Sequence, residues 1–212
     1  MSLEALKRNG HNLDLGDYEN AGKYGIPVLR PVQQAARMEW ISFNAAMTAV
    51  ERQRLGVHFF VDDYVFQRTW NDPRRYALLL SDFKAVMTPD FSLFTDYPVA
   101  VQLYNHFRKH LLGAYWQSLG LTVIPSICWS DEASFEWCFD GEPIGGCVAV
   151  SSVGTQKNPD ARKLFCAGYD EMLARLKPSK VIFFGDVPAG CKGNIERVPS
   201  YHSSLAHARK QR

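Results

Sequence analysis

Gly145-Gly-Cys-Val-Ala-Val-Ser-Ser152, a helical run from about Pro159 to Leu176, and Lys180-Val-Ile-Phe-Phe184 form the stretch whose reading decides the fold. Both flanking runs are continuously apolar rather than alternating, the pattern of strands buried on both faces. A strand, a crossover helix and a second strand at this spacing define a parallel unit.

The same alternation recurs upstream. Val57-His-Phe-Phe-Val61 is an apolar run ending at Asp62-Asp63, and residues 73–86 read as a helix. Phe91-Ser-Leu-Phe-Thr95 reads as a strand ending at Asp96-Tyr97. Residues 98–119 give the clearest helix, with Pro98 in its first turn, a stripe of Leu103, Phe107, Leu111, Ala114 and Tyr115, and Gly120 as its stop. Leu121 to Cys128 reads as a strand interrupted by Pro125 and followed by Trp129-Ser-Asp131. Nearer the start, Ile26-Pro-Val-Leu-Arg30 is an irregular or edge strand because of Pro27, and residues 33–54 read as a helix.

These elements predict an α/β fold: a reduced or distorted (β/α) TIM-like barrel of about six mostly parallel strands, favoured over an open doubly wound sheet. The expected organisation is an N-terminal arm (1–25, opening with a short helix), a barrel-like domain (26–189) and a basic C-terminal tail (190–212).

The chain has 212 residues and 46% apolar composition, ordinary for one globular domain. Its formal charge is +2, but the tail holds five basic residues against one acid, so it carries +4 and the rest −2. Attraction to phosphate is therefore expected from the tail and local patches. Five cysteines, none in a C-x-x-C pair, read as reduced half-buried thiols, with Cys191 in its Gly-flanked turn the candidate reactive one. The opening residues turn polar too early for a signal peptide, and no apolar run approaches a membrane span, so the cytoplasm is the default location and no membrane partner is expected.

In a parallel α/β architecture all strands deliver their C-terminal ends to one rim. Asp62-Asp63, Asp96-Tyr97, Trp129-Ser130-Asp131, Ser151-Ser152-Val-Gly154 and Gly185-Asp186 should therefore meet at one mouth. Asp62, Asp63 and Asp96 are the candidate catalytic acids. Phe66, Gln67, Tyr97, Trp129, Asp131, Ser151, Ser152, Gly154 and Asp186 are the candidate substrate contacts. Asp96 and Asp131 also fit helix caps. Ser151 to Lys157, ahead of a helix, could present backbone N–H groups to an anion, although it lacks the phosphate-loop pattern. His106 and His110 have metal-ligand spacing, but they flank Arg108 and Lys109 and read as a solvated face, so no metal site is assigned.

Several phrases carry a resemblance: Pro89-Asp-Phe-Ser-Leu, Val101-Gln-Leu-Tyr-Asn105, Ile124-Pro-Ser-Ile-Cys-Trp129, Cys138-Phe-Asp-Gly141 and Val150-Ser-Ser-Val-Gly154. On these, Val57 to Gly185 resembles an uncharacterised domain family of phages, prophages and bacteria. More distantly, the order of motifs is similar to the tRNA-guanine transglycosylase barrel and its phage DNA-modifying relatives. Asp62-Asp-Tyr-Val-Phe-Gln67 resembles that family's Asp-Ser-Gly-Gly-Phe-Gln, with Tyr64-Val65 in place of Gly-Gly. Pro89-Asp90 with Asp96 and Pro98 resembles its segment bearing a base-reading aspartate, and Val148 to Gly154 and Pro178 to Gly185 its later strands. That resemblance implies that Asp62 and Asp96 grip a purine-like base on which Tyr97 or Phe66 stacks.

The expected function is thus a phage or mobile-element enzyme acting on a nucleobase, nucleotide or nucleic acid by base exchange or glycosidic cleavage, without a cofactor. Two alternatives stand beside it. One is a metal-dependent phosphodiester hydrolase in which the same carboxylates hold Mg²⁺. The other is a non-enzymatic binding protein of phage–host interaction.

Overall fold

The computed structural model describes residues 10–199 apart from 34, 36 and 157. A small antiparallel hairpin, β1 (Asn20–Ala21) and β2 (Ile26–Pro27), precedes the main body. Seven parallel strands follow in chain order: β3 (Glu39–Ser42), β4 (Leu55–His58), β5 (Ala85–Met87), β6 (Val123–Ile124), β7 (Cys147–Ser151), β8 (Lys180–Phe184) and β9 (Ile195–Val198). β3 to β6 form one sheet and β7 to β9 another. The seam between them is bridged where Ser126 pairs with Ala149, whose N–H donates to Pro125 O and whose carbonyl accepts from Ile127 N, both at 2.8 Å.

The helices are α1 (Asp63–Asn71), α2 (Pro73–Leu80), α3 (Val99–Ser118) and α4 (Pro159–Leu176). The β7–α4–β8 unit agrees with its sequence reading. Asn158 caps α4 by accepting from the N–H groups of Asp160 and Ala161, and Pro159 occupies the first turn. Val148, Val150 and Phe183 pack with Phe165, Tyr169 and Met172 of that helix in one core. Phe43, Phe59, Phe66, Met87, Leu112 and Trp116 anchor the other.

The strictly sequential strand order within each sheet differs from that of a doubly wound sheet, whose order reverses. The sheets curl toward each other, since Phe184 at the end of β8 meets Trp40 of β3 and His58 and Phe60 of β4. Among the described residues no ladder joins β9 to β3, and no closure into the expected barrel is seen.

Three sequence readings change. Residues 33–54 are not a helix: the helical spacing of Met38, Ile41 and Ala45 gives way to strand β3 and two short 3₁₀ turns. The β3 segment pairs along its whole length with β4, with Trp40 lying over Gly56. The helix expected over 73–86 stops at Leu80, and Ala85–Met87 becomes β5, a fully buried strand. Phe91–Phe94 joins no ladder and Thr95 begins a turn, so the strand expected there is not formed.

The short helix expected at the start falls on residues 1–9, outside the described residues. Within the expected arm, Leu15 is buried and the Asn12 amide donates to Trp70 O. Within the expected tail, Ile195–Val198 is β9, paired with β8, while residues 200–212 lie outside the described residues. No helix among the described residues is long and apolar enough to cross a membrane.

Candidate functional site

Four parallel strands end around a cleft of about 360 Å³. Phe60 reaches it from beyond β4, Asp90 and Leu93 to Thr95 from beyond β5, Ile127 to Ser130 from beyond β6, and Ser151 and Val153 to Thr155 from β7. Ala161, Leu164 and Phe165 of α4 close the far side. Of the five segments expected at one mouth, Trp129-Ser130 and Ser151 with Val153-Gly154 line this cleft, whereas Asp62-Asp63, Asp96-Tyr97 and Gly185-Asp186 do not; the start of α4 adds the positive end of its dipole to the rim.

The walls are held firmly. Asp63 accepts from Ser92 N (3.0 Å) and Ser92 Oγ (2.8 Å), Asn105 Nδ2 donates to Ser92 O, and Gln102 Nε2 donates to Phe94 O and Tyr97 O. The segment after β5 is thus pinned to α1 and α3 although no ladder holds it. Thr88 and Ser126, both buried, exchange three hydrogen bonds that lock the ends of β5 and β6 together.

Asp90 is the titratable group at this floor. Its Oδ1 is sealed from solvent and has no hydrogen-bond partner. Burial pushes its carboxyl from an ordinary 3.8 up to about 7; Lys109 opposes the rise, Asp63 adds to it, and a hydrogen bond from the Cys128 thiol opposes it. A carboxyl poised there can both give and take a proton at neutral pH.

Trp129 lines the cleft with Phe165, ring centroids 5.3 Å apart. Its indole lies against α4 where Gly168 leaves room, since a Cβ there would fall 2.3 Å from indole atoms. Gly168→Ala should therefore lower Tm by about 5 °C, taking about 2 kcal/mol of overpacking in a domain of this size, and shift tryptophan emission as Trp129 is displaced. Unchanged emission and Tm would contradict this packing.

Of the residues singled out from sequence, Trp129, Ser151 and Gly154 line the cleft. Asp62 is exposed ahead of α1, and Asp96 and Tyr97 are exposed two residues and one residue before Pro98, which caps α3. Asp63 spends both oxygens on Ser92. Phe66 is 0% exposed between Phe59 and Phe91 and cannot stack on a base. Gln67 accepts from Arg108 and donates to Asn71, and Asp131 caps the 3₁₀ turn Glu132–Glu136 through Ser134 N. Ser152 Oγ donates to Asp186 O at 2.7 Å, and the exposed Asp186 carboxylate pairs with Arg197. All five cysteines are free; burial pushes Cys191 up to about 12, so it is not an activated thiolate.

Behind Asp90 lies a chain of buried polar side chains that sequence reading placed on a solvated face. Its carrier, α3, turns inward not the predicted apolar stripe alone but Gln102, Asn105, His106, Lys109 and His110. Lys109 Nζ donates to Glu142 Oε1 (2.5 Å) and Ser126 O (3.0 Å), and both side chains are at most 1% exposed. Burial works against both charges, yet each holds the other ionised: Lys109 is raised and Glu142 lowered from its ordinary value. His110 lies with Nε2 3.1 Å from Glu142 Oε1 and donates Nδ1–H to Pro27 O at 2.8 Å. His106 donates Nε2–H to Asp140 O at 3.0 Å, and burial, with the charges of His110 and Lys109, drives its pKa well down.

His106, His110 and Glu142 each turn one donor atom to within 4.8 Å of the others, a cluster able to chelate a metal ion. Among the described residues no group of three or more such donors includes Asp62, Asp63 or Asp96. Two signals in the sequence could have exposed this arrangement. Asp90 follows the short apolar run Ala85-Val-Met87 and becomes the strand-exit acid once that run is read as β5. His106 and His110 fall in line with Gln102, Lys109 and Gly113 at helical spacing, a stripe that only a buried partner explains.

The fold and this rim define an α/β protein with a cleft at the carboxyl ends of sequential parallel strands, backed by a metal-capable cluster. The chain belongs to the family described as Domain of unknown function (DUF4417), which matches residues 18–202. It is similar to the Gene 1 protein of Mycobacterium phage L5, 37% identical over 200 residues spanning 91% of this chain and 85% of that protein. The Gene 1 protein of Mycobacterium phage D29 is 35% identical over 201 residues, 92% of this chain and 72% of that protein. No solved structure matches. The phage family expected from sequence is thus the chain's family, and none of the matches is to a transglycosylase.

Proposed function

We propose that this chain is a phage enzyme that hydrolyses a nucleotide or nucleic acid bound in the strand-end cleft, with Asp90 as its proton-transfer group. The observation that carries the reading is Asp90 itself, a half-buried residue at a cleft wall with one carboxyl oxygen closed to solvent and unpartnered, and with burial pushing its pKa up to about 7. Unpaired buried polar atoms cost about 1–3 kcal/mol each, and such a cost at a cleft floor marks a functional group rather than a structural one. Trp129, Phe165, Phe60 and Phe94 supply apolar faces for a base, and the turn leading into α4 faces the dipole's positive end toward a phosphate.

Of the two bonds open to such an enzyme, the phosphodiester is favoured, because the His106–His110–Glu142 cluster gives the protein metal-binding capacity, although its buried donors would act from behind the cleft wall and not on the substrate itself. It replaces Asp62, Asp63 and Asp96 as the proposed metal donors; the exposed Asp62 and Asp96 stay as proposed contacts for substrate outside the cleft, and Asp63 positions Ser92. Base exchange loses support because no barrel closure is seen among the described residues and Phe66 lies in the core.

The test is incubation of the protein with single- and double-stranded DNA and RNA, with Zn²⁺, Mn²⁺ or Mg²⁺ and with chelator. Metal-dependent strand scission, lowered at least about 100-fold in Asp90→Asn, is the expected result. Intact strands bearing abasic sites or altered bases would transfer the reading to glycosidic cleavage. Tight binding without turnover, indifferent to Asp90→Asn, would overturn the enzyme reading in favour of a binding protein.

A further inference from the structure

We propose that His106, His110 and Glu142 bind one divalent transition-metal ion of the zinc class, and that this ion clamps the N-terminal hairpin and the turn before Glu142 onto α3. The two histidines sit one helical turn apart with ring centroids separated by 4.4 Å, and Glu142 enters from the turn that follows the 3₁₀ segment. Each ring has its far nitrogen fixed by a backbone carbonyl, Pro27 O for His110 and Asp140 O for His106. Because a carbonyl only accepts, those nitrogens carry protons; His106 Nδ1 is left with a bare lone pair, and His110 Nε2 is the nitrogen that faces Glu142. This is the outer-shell arrangement that orients metal-bound imidazoles.

The second, independent observation is a deficit. His106 Nδ1 and Glu142 Oε2 are both buried and both lack any hydrogen-bond partner. One ion between the two histidines and the carboxylate satisfies both orphans. Two imidazoles and one carboxylate suit zinc, cobalt or nickel, whereas magnesium and calcium prefer all-oxygen sites. The surroundings are built tightly: Gly141 has φ +75°, and a Cβ there would lie 2.6 Å from Pro27 O and 2.8 Å from His110 Nδ1.

Lys109 occupies Glu142 Oε1, which leaves Oε2 for the ion and places one cation beside another. Affinity is therefore set below what the donor set alone would reach. The ion's donors are closed to solvent and its outer partners lie on β2, α3 and the turn at Asp140, so its role is that of a staple. The proposal does not rest on the hydrolase reading, and its readouts involve no substrate.

The experiment strips the full chain with chelator and titrates it with Co²⁺, following visible d–d absorption, and with Zn²⁺, following Tm. One equivalent of Co²⁺ should give the intense bands of a four- or five-coordinate site. Zn²⁺ at 100 times its Kd should raise Tm by about 5–10 °C. His106→Ala should abolish both responses, and Lys109→Met should tighten binding about tenfold by removing the competing cation. Absent bands and an unmoved Tm in the unaltered protein would overturn the site, whatever the variants do. A Zn²⁺ shift retained in His106→Ala, or weaker binding in Lys109→Met, would overturn the assignment of donors.

Discussion

Asp90→Asn is expected to remove at least about 100-fold of the hydrolytic rate while leaving the protein folded and more stable at neutral pH. Asparagine matches aspartate in shape but cannot ionise. The stability change follows from linkage. The folded pKa of Asp90, about 7, lies above its ordinary 3.8, so the native state holds this proton more tightly than the unfolded chain. Its contribution is full below about pH 4 and is lost as pH rises through about 7, where a buried charge must be carried. The unaltered protein should lose stability over that window through this group, and Asp90→Asn should flatten that part of the profile. Denaturant unfolding at pH 4.5 and pH 7.5 reads it directly. Equal pH dependence in both proteins would show that Asp90 is not a buried, neutral-pH acid, and its catalytic role would fall too.

Glu142→Gln, measured with chelator present, should be the most destabilising single change in the molecule. It strands the Lys109 ammonium, 1% exposed, with Ser126 O as its remaining hydrogen-bond acceptor. Removing one partner of a buried ion pair costs about 3–5 kcal/mol, which for a domain of this size lowers Tm by about 10 °C or more. Glu142→Gln combined with Lys109→Met should recover most of that loss, because no charge is then left in the core. If the double variant were as unstable as Glu142→Gln alone, the loss would reflect packing at the turn instead of an uncompensated charge. The acid side follows the opposite sign from Asp90. Glu142 is held below its ordinary 4.5, so its stabilisation is present at higher pH and is lost as pH falls through the lowered value. The two groups together place greatest stability in mildly acid solution.

How legible each feature was from sequence depended on the range of the interactions behind it. Cys147–Ser151, Pro159–Leu176 and Lys180–Phe184 could be read correctly because their local propensities and burial patterns agree. The run from Met38 to Ala45 could not, since a few apolar residues fit a helix and a strand alike, and pairing with β4 decides between them. The same ambiguity moved the expected strand from Ala85–Met87 to Phe91–Thr95, and with it the strand-exit acid from Asp90 to Asp96.

By itself the sequence determined an α/β chain of mostly parallel strands, because hydrophobic period and crossover spacing are local quantities. Tertiary structure alone decided which carboxylate loses its solvent, which way α3 turns its polar stripe, and that Glu142 meets two histidines more than 30 positions away. Desolvation and ligand geometry arise only when distant segments exclude water together, and no local pattern records that.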